Sequence, residues 1–100
     1  MLTVTLKLVT IVAERVLQER LLRELKELGA RGYTLTEVSG EGSRGVRASE
    51  WEGHNVKIET IVSPEVADRI IEHIAEHYFQ YYAVIVYAQP VEVVRGDKYV

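Results

Sequence analysis

One hundred residues, 47% of them hydrophobic and 27% charged, are enough for one globular core and too apolar for a disordered chain. The formal net charge of -3 speaks against broad attraction to nucleic acid or anionic lipid. With no cysteine, disulfides, thiol catalysis and thiolate metal sites are excluded.

Leu2 to Val12 is rich in Val, Leu, Ile and Thr and is predicted to be a strand. It lacks the basic-then-apolar order of a signal peptide, and no apolar run approaches the ~20 residues of a membrane span, so a cytoplasmic location is expected. From Glu14 to Leu28 the spacing turns helical, with Val16, Leu17, Leu21, Leu25 and Leu28 as the apolar stripe. Arg15, Glu19, Arg20, Arg23, Glu24, Lys26 and Glu27 read as its solvated face, and Gly29 as a left-handed cap. Tyr33 to Val38 is a second strand, and Asn55 to Val62 a third.

Ser63-Pro64 opens a second helix, Ser as N-cap and Pro in the first turn, with Val66, Ala67, Ile70, Ile71, Ile74 and Tyr78 as its buried stripe. Tyr82 to Ala88 is the last strong strand. Pro90 is expected to interrupt it, with a short extra strand over Val91 to Val94 and a polar tail over residues 95–100. This order predicts one α+β domain over residues 1–100, a ferredoxin-like βαββαβ sandwich with both helices on one face of an antiparallel sheet. Leu8-Val9-Thr10-Ile11-Val12 and Ala83-Val84-Ile85-Val86-Tyr87 do not alternate, so the second face needs a cover. Another copy of the same sheet is the simplest one, and a homo-oligomer is expected.

Residues 39–54, between the second and third strands, have no period and are longer than a hairpin needs. Gly40, Gly42 and Gly45 permit close backbone approach, Ser43 offers a hydroxyl, and Arg44 and Arg47 offer forked cations suited to phosphate oxygens. Gly40 to Gly45 matches G-x-G-x-x-G, but a strand rather than a helix follows, which rules out the dinucleotide motif. The residues alone also fit a solvated loop whose arginines serve solubility.

Gly40-Glu41-Gly42-Ser43-Arg44-Gly45-Val46-Arg47 resembles the G-x-G-S-R-x-V-R signature at the base of the T-loop in PII-like signalling proteins of the SbtB type. Gly29-Ala30-Arg31-Gly32-Tyr33-Thr34, Asn55-Val56-Lys57-Ile58-Glu59 and Tyr82-Ala83-Val84-Ile85-Val86-Tyr87 are similar to that family at matching spacing, up to about Gly96. The resemblance implies a homotrimer with an adenine-nucleotide pocket in each intersubunit cleft, taking AMP, ADP, ATP or cyclic AMP, with no obligatory cofactor. It implies that Gly42, Ser43, Arg44 and Arg47 hold phosphate and that backbone near Tyr82, Ala83 and Val84 lies close to the adenine. It also implies a regulated partner protein, such as a bicarbonate transporter or another membrane transporter, which would recruit the chain to the membrane. Three departures stand out: a shorter stretch between Arg47 and Asn55, Val84 and Tyr81 where glycine and aspartate are expected, and no cysteine-containing C-terminal extension.

Trp51 in a polar loop, flanked by Glu50 and Glu52, is a candidate partner anchor for a basic surface. Tyr78 and Tyr87 are expected to pack, and Tyr82 is open to packing or base stacking. His73 and His77 share a helix face at metal-ligand spacing, but on the solvated side and without a third ligand. They carry the alternative of a trimeric metal-binding protein resembling the CutA family. An RNA-binding module shares the element order, but the acidic balance and missing aromatic motifs oppose it. No nucleophile is paired with a base, and a non-enzymatic sensor is expected.

Overall fold

The computed structural model describes residues 2–40 and 54–100. Among these, four strands and two α-helices follow one another: β1 (Val4–Glu14), α1 (Gln18–Leu28), β2 (Thr34–Val38), β3 (Asn55–Val62), α2 (Pro64–His77) and β4 (Ile85–Val93). The strands form one antiparallel sheet in the order β2-β3-β1-β4, which is the expected ferredoxin-like α+β arrangement.

Both helices cover one face. Val9, Ile11 and Ala13 of β1 and Val56, Ile58 and Val62 of β3 point into a core closed by Leu21 and Leu25 of α1 and Ala67, Ile70 and Ile74 of α2. Alternation along β3 is strict, every second residue being buried, because its other face has no helix over it. α2 starts as its sequence requires: the Val66 N–H donates to Ser63 Oγ at 3.3 Å, and Pro64 occupies the first turn, where a missing N–H costs nothing. Gly29 ends α1 at φ 121°, its N–H reaching the carbonyls of Leu25 and Lys26.

Several boundaries differ from expectation. β1 runs on to Glu14, and a 3-10 turn over Arg15–Leu17 precedes α1, leaving Val16 67% exposed rather than in the apolar stripe. β4 begins at Ile85 rather than Tyr82 and passes through Pro90 without a break, with Pro90 opposite Lys7. β4 is an edge strand, and an edge tolerates proline because one of its sides has no ladder to lose. Residues expected as a polar tail instead form a 3-10 turn over Gly96–Tyr99, entered through Arg95 at φ 66°. The turn sits tightly on the sheet: a Cβ on Gly96 would collide with Val4 Cγ2.

Where β1 and β4 meet, the face away from the helices carries the apolar side chains that the non-alternating strands foretell, whereas β3 presents Asn55, Lys57 and Glu59 there. Val12, Thr10 and Leu8 of β1 pair with Ile85, Tyr87 and Gln89 of β4, and Ile85 is 56% and Tyr87 48% exposed.

Candidate functional site

β2 and β3 end in register, Val38 opposite Asn55, so the chain leaves and rejoins the sheet at adjacent positions. Between them, Gly42, Ser43, Arg44, Arg47, Glu50, Trp51 and Glu52 fall outside the described residues. The base of the loop is described. Arg15 donates its backbone N–H to the His54 carbonyl at 3.4 Å, and its guanidinium lies 3.6 Å from the Glu37 carboxylate. Both side chains of that pair are more than half exposed, so it orients more than it stabilises.

Tyr82, Ala83 and Val84 lie in the turn that feeds β4, whose first residue pairs with Val12 near the end of β1. Asn55 pairs with Glu14 at that same end of the sheet. The structure thus brings the 82–84 turn and the loop base to one end of the molecule. Val84 is buried, Ala83 half-buried, and Tyr82 packs its ring 5.8 Å from that of Tyr78.

A second feature escaped the sequence. A cavity of about 530 Å³ opens where the turn into β2 meets β3, lined by Arg31 to Thr34, Glu59 to Ile61, Leu8, and Lys98 and Tyr99 of the C-terminal turn. Thr60, 2% exposed, donates its hydroxyl to the Gly32 carbonyl at 2.6 Å and so fixes the backbone on this wall. Arg31 donates to the Val100 carbonyl, which ties the C-terminal turn to the same rim. Its lining offers two tyrosines, two cations and the Glu59 carboxylate. Only the folded chain unites residues near 32, 60 and 98; the one local signal was a pair of glycines astride Arg31.

The helix layer holds a polar network that also departs from expectation. Glu24 and His73, read as solvated, are largely buried against each other, with side chains 17% and 21% exposed. Glu24 Oε1 accepts from the Tyr78 hydroxyl at 2.5 Å and from His73 Nε2 at 2.8 Å, and Oε2 accepts from Arg20 Nε at 3.2 Å. Burial pushes the Glu24 carboxyl up, but the bonds from Tyr78, His73 and Arg20 outweigh it and hold the group below its usual range. Burial and the Glu24 charge raise the Tyr78 hydroxyl well above the ordinary tyrosine range. His77 packs edge-on against His73, and among the described residues no cluster of three or more His, Asp or Glu could hold a metal.

The model of the family described as nitrogen regulatory protein P-II matches residues 6–98. A PII-like signalling protein from Thermus thermophilus is 60% identical, with all of each chain covered and a TM-score of 0.88. CPII from Thiomonas intermedia K12, bound to ADP and bicarbonate, is 25% identical over 99% of this chain and 98% of its own, with a TM-score of 0.87. The same protein bound to ADP, AMP and acetate, at 24% identity over 99% and 98% of the two chains and a TM-score of 0.84, shares the fold.

Proposed function

We propose that this chain, which belongs to the nitrogen regulatory protein P-II family, is a non-enzymatic sensor that binds adenine nucleotides in clefts between copies of itself. The observation that carries the reading is the division of its surface. The cavity at Gly32 to Thr34 lies beside β2 and β3, whereas the 82–84 turn and the loop base lie at one end of the sheet. Among the described residues, each supplies part of what a nucleotide site needs. A homotrimer built on the apolar sheet face would set one copy's cavity against its neighbour's loop base and turn.

In that cleft the base takes the cavity, flanked by Tyr82, Ala83 and Val84, and Gly42, Ser43, Arg44 and Arg47 take the phosphates through charge-assisted bonds. The relative bound to ADP supports this ligand class, and its bicarbonate makes a small anion a candidate second ligand. The loop signature from Gly40 to Arg47 supports a reading of the SbtB type within that family. Phosphate held by Arg44 and Arg47 would set what Trp51, Glu50 and Glu52 present to a partner protein, a membrane transporter being the candidate. No helix of the described residues is long and apolar enough to cross a membrane, so membrane recruitment would come through that partner. The match to the P-II family does not favour the CutA-like alternative, and His73 is already engaged by Glu24.

Calorimetric titration with AMP, ADP, ATP and cyclic AMP tests the reading. Micromolar binding by the protein that an Arg44→Ala/Arg47→Ala variant loses supports it, and no binding of any of the four contradicts it.

A further inference from the structure

Residues 78–84 join the end of α2 to β4, and Tyr78-Phe79-Gln80-Tyr81-Tyr82-Ala83-Val84 contains neither glycine nor proline to set its path. One carbonyl closes the turn: Tyr78 O accepts from the amides of Tyr81 at 3.0 Å and Tyr82 at 2.9 Å. The position of Tyr78 therefore decides where the turn goes.

Tyr78 is held from three sides. Its N–H donates to the Ile74 carbonyl at 2.9 Å, the Arg20 guanidinium lies 4.6 Å from its ring centroid, and its hydroxyl donates to Glu24. The residue is fully buried, so a hydroxyl without an acceptor there would carry an uncompensated desolvation penalty. The acceptor comes from the other helix. Glu24 is in turn steadied by Arg20, one turn before it on α1, and by His73 on α2, so its carboxylate is the point at which both helices and the turn meet.

We infer that Glu24 is the positioning residue of the 78–84 turn, holding Tyr78 and through it the backbone that presents Ala83 and Val84 to nucleotide. The second half of this inference rests on the nucleotide reading above; the first half does not. Glu24 acts through Tyr78, from whose hydroxyl it accepts a hydrogen bond. Glu24→Ala removes the acceptor, Tyr78→Phe removes the donor while keeping the buried ring, and Glu24→Gln keeps an oxygen for Tyr78 but turns an amide N–H₂ towards Arg20 or loses one bond.

The test combines amide hydrogen exchange and ADP titration on the whole chain and these three variants. The Tyr81 and Tyr82 amides exchange about tenfold faster in Glu24→Ala and Tyr78→Phe, equivalent to about 1.4 kcal/mol of local opening. Amides in β1 and β3 keep their protection, Glu24→Gln falls between, and ADP affinity drops in the same order. Tyr78→Phe carries the test should Glu24→Ala not fold. Unchanged exchange at Tyr81 and Tyr82, or a rise shared equally by β1 and β3, overturns the positioning role. Faster turn exchange with ADP affinity unchanged overturns the link to ligand. Selective exchange in a protein that never binds ADP overturns the nucleotide reading and leaves the hold of Glu24 on the turn standing.

Discussion

Glu24 and Tyr78 are residues whose surroundings change their chemistry. The Glu24 carboxyl is held low by Tyr78, His73 and Arg20, so the ionised form is favoured more in the folded chain than in the unfolded one. Stability from this site is complete above the usual carboxylate range and is lost as pH falls through the depressed value. Denaturant midpoints followed from pH 6 downwards should fall on the acid side of about pH 4.5. Glu24→Gln should be less stable at neutral pH and flatten that acid limb; an unchanged limb would remove the site from the account. Tyr78 sets the alkaline limit for the opposite reason. Its hydroxyl is raised, so stability holds below the ordinary tyrosine range and declines above it. None of this was legible at residues 20, 24 and 73, which sit on the polar sides of their helices in a linear pattern. Periodicity says which side of a helix faces the sheet, and does not say that two helices lie close enough to bury the flanks between them.

At the scale of elements the sequence was more informative, because caps and alternation are local. Ser63-Pro64 marked the start of α2 to the residue, and Gly29 the end of α1. Ser63→Ala should cost about 1 kcal/mol through loss of the bond to Val66. Gly29→Ala should cost more than about 1 kcal/mol, since φ is 121° and its Cβ would meet Val66 Cγ2 at 3.1 Å. Chemical denaturation of the two variants checks the order, and a Gly29→Ala protein more stable than Ser63→Ala would contradict it. β4 was misread because Pro90 is a strand breaker only where both sides of the strand are paired; membership of an edge is a property of the sheet order, which no window of sequence contains. The C-terminal turn was missed for a similar reason. Its structure depends on contact with Val4 and on the bond from Arg31, both distant in the chain.

The whole molecule poses one question, what covers the sheet. The non-alternating strands announced an apolar second face, and Ile85 and Tyr87 are about half exposed on it. On the proposed homotrimer, Ile85→Glu should give smaller species by light scattering without unfolding the chain, because Ile85 lies outside the core formed by Ile11, Ile58 and Ile70. The proposed binding site belongs to this scale as well. The signature residues of the loop could be read in order from Gly40 to Arg47, but the cavity at Arg31 to Thr34 gathers residues from four separate stretches and became visible only in the fold.

The claim that a nucleotide lies between copies is tested most directly by mixing two defective chains. A Tyr33→Ala/Thr34→Ala variant disables the cavity, and Arg44→Ala/Arg47→Ala disables the loop; each alone should lose ADP binding. Co-expressed in equal amounts, the two should recover roughly a quarter of the sites, those in which an intact cavity meets an intact loop from a neighbour. Titration of the mixed assembly with ADP at that stoichiometry is the predicted result. Co-assembly with no recovered sites would contradict a cleft shared between copies.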